Sequence, residues 1–173
     1  MSQPRPLRPP HVWRAMQLAD VQAVVDMEQQ ACQHPLHAWT VDNYRSSLRS
    51  GYWSRVCEDT HGCITGVCVA MLGVDEVHLL NIAVARDSQG QGLAVWMLTQ
   101  LDELCRTHAC PVIWLEVRPS NLPALALYQS HHYAHVAVRK AYYPAVGGRE
   151  DAWVMKRDVW RAQAQEARHA AMD

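Results

Sequence analysis

Between Glu76 and Val117 the apolar residues change period twice. Glu76 to Ala85 reads as a strand. The next residues, "RDSQGQG", break the pattern with two glycines. Gln91 to His108 then carries a helical stripe of Val95, Leu98, Leu101, Leu104 and Cys105, and "VIWLEV" (Val112 to Val117) returns to strand. Pro111 blocks continuation of the helix. A strand, a helix and a strand in succession make a crossover unit. Two further strand runs lie upstream, Tyr52 to Glu58 and Cys63 to Leu72, joined by the hairpin signal "DTHG". A meander followed by one crossover is not a doubly wound dinucleotide fold, which would alternate throughout.

The remaining segments complete the order. Val12 to Met16 is a strand. Val21, Val24, Val25 and Met27 have helical spacing, with Asp20 as candidate N-cap. Thr40 can cap a second helix, Val41 to Arg49, which Gly51 ends. After "RPSN", with Asn121 as cap, Leu122 to Ser130 is a helix. Tyr133 to Tyr143 and Asp151 to Val159 are strands separated by Pro144 and Gly147-Gly148. The expected order is β-α-α-β-β-β-α-β-α-β-β. It is an α/β (α+β) chain with about seven mostly antiparallel strands and four helices. Val77 and Leu79 share one parity of the third strand, and Leu80, Ile82 and Val84 share the other. Either a β-bulge or a strand buried on both faces gives that pattern.

A chain of 173 residues, 49% hydrophobic and 19% charged, suffices for one globular core. That domain is expected over 11–159, after a disordered Pro-rich lead-in (1–10) and before a polar, Ala-rich tail (160–173). A net charge of −1 gives no electrostatic case for nucleic acid or membrane. No run approaches the roughly 18 apolar residues of a membrane span. "MSQPRPLRPP" has no apolar export region, so the expected location is cytoplasmic. The six cysteines are then reduced thiols. Cys63 and Cys68, an odd number apart on one strand, point to opposite faces. No metal site is expected, and small buried hydrophobes are the reading for all six.

The glycine turn can hold an anion. Gly90 and Gly92 let the backbone approach a ligand, and the following helix offers unpaired N–H groups at its positive end. Leu93, Ala94 and Val95 replace the Lys and Ser/Thr of a triphosphate loop, and no G-x-G-x-x-G is present. The open alternatives are a pyrophosphate carried by another cofactor and a plain tight turn.

Gln89, Gly92 and Ala94 match (Q/R)-x-x-G-x-(G/A), the acetyl-CoA loop of the GCN5-related N-acetyltransferase superfamily. With "NIAV", "IWLEVRPSN", "ALALYQS", "RKAYYP" and "GREDAWVM", the chain resembles the branch of that superfamily that acetylates ribosomal-protein N-termini. The likeness spans about Val12 to Val159. Ala94 stands where a second glycine is usual, Val95 where a basic residue is common, and "SHHY" replaces S-L-G-F. The resemblance implies the superfamily fold and acetyl-CoA as cosubstrate; the expected state is a monomer. It implies that Gly90, Gln91, Gly92, Leu93, Ala94 and Val95 hold the diphosphate. The backbones of Ile82, Ala83 and Val84 line the pantetheine arm, and Asn121 contacts the cofactor.

Acetyl transfer from a thioester to an amine, by direct attack through a tetrahedral intermediate, needs a neutral amine. It also needs an oxyanion donor and a proton for the leaving thiolate. Glu116 shares strand parity with Val112 and Trp114, so a carboxylate sits on an apolar face that would raise its pKa. From the residues alone it is a general base or a solvated strand-end carboxylate, and the resemblance favours the base. Tyr128, seven residues after Asn121 and on the same side of one helix, is an acid for the thiolate or a core aromatic. Tyr142 and Tyr143 either pack on the acceptor, entering between "HPLHAW" and "AYYP", or form a hairpin-end pair. The resemblance alone implies the acceptor, a protein N-terminus, in particular the N-terminal alanine of a small-subunit ribosomal protein. Two other readings keep the fold: transfer to a lysine, polyamine or other small amine, and a non-catalytic CoA-binding sensor.

Overall fold

The computed structural model describes residues 12–160. The expected lead-in, and the tail beyond Trp160, lie outside the described residues. The strands are β1 (Val12–Ala15), β2 (Trp53–Glu58), β3 (Ile64–Leu72), β4 (Glu76–Val84), β5 (Val112–Val117), β6 (Ala134–Ala145) and β7 (Gly148–Asp158). The helices are α1 (Val21–Ala31), α2 (Val41–Arg49), α3 (Leu93–Thr107) and α4 (Leu122–Ser130). This is the expected order and class. The sheet order is β1-β2-β3-β4-β5-β7-β6, parallel at β4–β5 and antiparallel at β1–β2, β2–β3, β5–β7 and β6–β7. Among the described residues no helix is long and apolar enough to cross a membrane.

The chain divides into two compact units. One holds the described residues through Met71 together with Leu80–Thr99. Its core is Met16, Val21, Val24, Val25, Met27, Tyr44, Val56, Val67 and Val69. The helical stripe of α1 and the strands of the meander bury their apolar sides against one another, the main favourable term in folding. Thr40 caps α2 as expected. Its Oγ1 accepts from the Asn43 N–H at 3.2 Å, and Asn43 Oδ1 accepts from the Thr40 N–H at 2.9 Å. Asp20 precedes α1 but makes no cap bond. Its carboxylate instead accepts from Arg14 at 2.7 and 2.9 Å and from the Gln17 N–H; its own φ of −80° and ψ of −18° are helical, not the extended backbone that aims an N-cap side chain at the first turn.

The second unit holds Leu72–Leu79 and the described residues from Gln100 onward. In β5, Ile113, Leu115 and Val117 are buried, while Val112, Trp114 and Glu116 are half-buried. The strand pairs along its whole length with β7. Buried Leu125, Tyr128, Tyr133, Ala152 and Met155 add to this core. Asp102 and Arg157 form a buried ion pair at 2.9 Å.

Some expectations change in detail. The helix after the glycine turn begins at Leu93 rather than Gln91, because Gly92 is its cap and accepts from the Trp96 N–H at 2.9 Å. Val95 is only half-buried, and Leu93 and Met97 join the buried stripe instead. Tyr133 is a core residue preceding β6. Four cysteines, Cys57, Cys68, Cys105 and Cys110, are buried free thiols as expected, but Cys32 is half-buried and Cys63 is exposed. Burial pushes the Cys57 and Cys105 thiols up to about 12, so they behave as packing groups.

Candidate active site

In the first unit the glycine turn has the backbone that anion binding asks for. Gly90 and Gly92 have φ of 69° and 85°, the left-handed region. A Cβ at Gly90 would meet nothing within 4 Å, so conformation and not crowding requires glycine there. The turn is fastened by side chains. Gln89 Nε2 donates to the Val84 carbonyl at 3.1 Å, and Gln91 Nε2 donates to the Asp87 carbonyl at 2.8 Å. Trp96 is the first residue with a helical partner, which leaves the N–H groups of Leu93, Ala94 and Val95 as first-turn donors. No acidic residue lies in that turn to compete with an anion. The site therefore fits a diphosphate through main-chain donors and the helix dipole.

β4 supplies the adjoining feature. Its pairing with β5 covers Glu76 to Leu79 and goes no further, although the strand continues to Val84. The parity change falls at that departure. Val77 and Leu79 are buried before it, Val84 after it, and Leu80 to Ala83 between them are half-buried. Ile82, Ala83 and Val84 lie on the portion that has left β5.

In the second unit, Glu116 sits near the end of β5 on the expected face. Its partners are not an apolar wall. Arg139 Nε donates to Glu116 Oε1 at 2.9 Å, and the Tyr142 hydroxyl is hydrogen-bonded to the same carboxylate. That bond holds the Tyr142 phenol above its ordinary value. Burial, and then the charge of Glu116, pushes Tyr143 up as well. Tyr142 and Tyr143 meet edge to face, 5.0 Å apart, and the Arg118 guanidinium lies over the Tyr143 ring at 4.3 Å. Arg118 also donates to the Pro144 carbonyl at 2.8 Å and pairs with Glu150 at 3.4 Å, fixing the tyrosine turn.

A wide bulge in β6 makes this cluster possible. Arg139 pairs with Ala152 and Tyr143 with Glu150, so Lys140, Ala141 and Tyr142 together face Asp151 alone. Residues three apart on a regular strand point to opposite faces. With the bulge, Arg139 and Tyr142 both reach Glu116. Asp151 holds the bulge by accepting from the Ala141 N–H at 2.9 Å and from Lys140 Nζ at 2.8 Å. Ala141 has φ of 49°.

Tyr128 occupies the last turn of α4, 7% exposed, with its ring 5.6 Å from that of Tyr133. Asn121 caps the same helix, its side-chain oxygen accepting from the Ala124 N–H at 3.3 Å. Its two amide N–H donors are left for a ligand.

Sequence reading missed two features. Arg139 was visible only as part of a motif. The other is a buried polar cluster in the first unit. Tyr44 Oη donates to Glu28 Oε2 at 2.5 Å, and Asn81 Nδ2 donates to Glu28 Oε1 at 3.0 Å and to Tyr44 Oη at 2.9 Å. The Trp39 N–H donates to the same carboxylate. Glu28 is 2% exposed, and burial pushes its carboxyl above the ordinary range. One signal was available. Glu28 follows Val24 by four residues and Val25 by three, so it lies on the buried stripe of α1.

Residues 18–133 match the acetyltransferase (GNAT) family. The chain is 33% identical over 141 residues to a [ribosomal protein bS18]-alanine N-acetyltransferase of Escherichia coli, covering 82% of this chain and 93% of that protein. The enzyme of the same name from Haemophilus influenzae is 32% identical over 142 residues, covering 81% and 93%. The crystal structure of the ribosomal-protein-S18-alanine N-acetyltransferase from Escherichia coli superposes with a TM-score of 0.75 at 30% identity, over 86% of this chain and 93% of that one. The chain belongs to the acetyltransferase (GNAT) family.

Proposed function

We propose that this N-acetyltransferase moves the acetyl group of acetyl-CoA onto the α-amine of a protein N-terminus, with the N-terminal alanine of a ribosomal protein as its acceptor. It acts as a cytoplasmic monomer. The observation that carries the reading is the Glu116 carboxylate, held at the end of β5 beside the Tyr142–Tyr143 pair. The two relatives named for acetylating the alanine of bS18 support the acceptor.

Acetyl-CoA supplies an acyl group already activated as a thioester. Main-chain N–H groups at the start of α3, from Gly90 to Val95, bind its diphosphate. The backbone of Ile82, Ala83 and Val84, on the part of β4 that has left β5, pairs with the pantetheine arm, and one N–H there donates to the developing oxyanion. Asn121 donates to the cofactor through its amide. The acceptor nitrogen forms the new bond to the acetyl carbon. Its proton goes to Glu116, directly or through one water, and Tyr128 Oη donates to the departing sulfur. An α-amine of pKa about 7.7–8.0 is partly neutral at pH 7, so the work of the base lies in taking the proton the nitrogen sheds as the new bond forms. Tyr142 and Tyr143 pack against the first residues of the acceptor.

Incubation with acetyl-CoA and Ala-starting peptides, read by mass spectrometry, tests this. Acetyl is expected on the α-amine, and Glu116→Gln and Tyr128→Phe should each lose about 10²–10⁴-fold in kcat. Full activity in both variants, or acetyl on lysine or a polyamine alone, would overturn the assignment.

A further inference from the structure

Glu28 lies on the buried stripe of α1 with Val24, Val25 and Met27, where an apolar side chain would pack without the cost of burying a carboxyl group. Donors from three other places in the first unit converge on it instead. Tyr44 of α2 donates to Oε2 at 2.5 Å, Asn81 of β4 donates to Oε1 at 3.0 Å, and the Trp39 N–H donates from the loop before α2. The Trp39 ring also lies 5.2 Å from that of Tyr44. The transfer described above makes no chemical use of this carboxylate.

What the cluster holds is the part of β4 that the reaction needs. The pairing of β4 with β5 ends at Leu79, and Asn81 stands two residues beyond that point and one before Ile82. From there the strand has no β5 ladder to set its place. Asn81 spends its amide on the cluster, donating to Glu28 and, at 2.9 Å, to Tyr44 Oη. The departing strand is thereby tied to α1 and α2 through its side chain. Further on, the Ala85 N–H ties it to the Thr65 carbonyl of β3 at 2.9 Å.

We propose that Glu28 is a positioning residue for acetyl transfer: through Asn81 it fixes the run Ile82 to Val84, and through Trp39 it fixes the loop before α2 relative to that run. The proposal rests on the reading that this run of backbone serves the cofactor and the oxyanion. An oxyanion donor must stand within about 2.7–3.1 Å of the developing charge. A misplacement of about 1 Å costs about 10²-fold in rate. A buried network with its donors and acceptors matched permits one arrangement, whereas apolar contacts at Glu28 and Asn81 would let the strand slide.

The test compares Asn81→Ala, Glu28→Ala and Glu28→Gln with Val24→Ala, which truncates an apolar side chain on the same stripe. Each is assayed with saturating acetyl-CoA and an Ala-starting peptide, at a temperature where near-UV circular dichroism shows it folded. In Asn81→Ala and Glu28→Ala kcat should fall about 10²-fold. Glu28→Gln keeps an acceptor for the Asn81 amide and should stay within about threefold of wild type. Val24→Ala loses stability alone and should keep its kcat. If Glu28→Ala does not fold, Asn81→Ala, which leaves Glu28 its other two donors, decides the matter. A kcat in Asn81→Ala within about threefold of wild type, or a loss as large in Val24→Ala, overturns the proposal. Amide hydrogen exchange separates the two levels. CoA should slow exchange within Ile82–Val84 of the wild type. If it does not, the reading of β4 itself fails, and the positioning role with it. If it does and Asn81→Ala keeps its kcat, only the positioning role fails.

Discussion

Tyr44 and Tyr133 are both buried, one in each unit, and their hydroxyls are treated in opposite ways. Tyr44, fully buried, donates to Glu28 and accepts from Asn81. Tyr133 is 4% exposed, and its hydroxyl has no hydrogen-bond partner among the described residues. Burial dominates the raised pKa of both phenols. The difference lies in what each hydroxyl ties together. In the first unit it joins α1, α2 and β4 around one carboxylate. In the second it adds a polar atom to a core that already has the Asp102–Arg157 pair. A buried polar group stabilises only when its partners are buried with it.

The largest test of that contrast is Glu28→Ala. It removes the acceptor of the Tyr44 hydroxyl and of the Trp39 backbone N–H at once, leaving the Asn81 amide only its bond to Tyr44 Oη, and should lower stability by about 3 kcal/mol in denaturant unfolding. Glu116→Ala should change stability by about 1 kcal/mol or less, because its ion pair is open to solvent. Equal losses in the two variants would break the distinction between an architectural and a chemical carboxylate. Tyr44→Phe comes next, at about 2 kcal/mol, since it removes a hydrogen bond to a carboxylate and leaves Glu28 Oε2 short of a donor.

The same cluster makes a statement about pH. Burial raises the folded value of Glu28, so the folded protein keeps that proton to higher pH than the unfolded chain does. Its contribution to stability is complete below the ordinary value of 4.5 and is lost as pH rises through the folded value. Glu28→Gln has no proton to lose. The stability of wild type relative to this variant should therefore decline, by on the order of 1 kcal/mol, from acid pH toward neutrality. Denaturant midpoints at a series of pH values measure it. A difference that grows with pH would mean that the hydrogen bonds outweigh desolvation.

How much of this was legible beforehand depends on where periodicity carries the information. β5 and α4 stand as read, because alternation and a capping Asn121 are local signals. The glycine turn was readable for the same reason. The bulge in β6 was not. Its cause is Asp151, ten residues away on β7, which bonds Ala141 across the sheet. For Glu116 the parity argument placed the side chain on the correct face, but it could not supply Arg139 and Tyr142, which arrive only through that bulge. The buried Glu28 shows the converse case. Its spacing on α1 marked it, yet only the fold brings Tyr44 and Asn81 to meet it.

The smallest effect is also the sharpest, since Tyr133→Phe removes the same atom as Tyr44→Phe with the opposite sign. The sequence around it is unusual: "SHHY" follows the helix that carries Tyr128, and His132 adopts φ of 60°. That left-handed step turns Tyr133 into the core, where its N–H donates to the Tyr128 carbonyl at 3.0 Å. The ring is needed there, as the neighbour of Tyr128. The hydroxyl is not, and desolvating it without a partner costs about 1–3 kcal/mol, offset by the contacts of the oxygen itself. Tyr133→Phe keeps the ring and should leave stability unchanged or raise it by up to about 1 kcal/mol, a gain of about 2–4 °C in Tm for a chain of this size. A loss of more than 1 kcal/mol would show that the hydroxyl is bonded in solution. The second unit would then obey the same rule as the first, and the contrast between the two tyrosines would vanish.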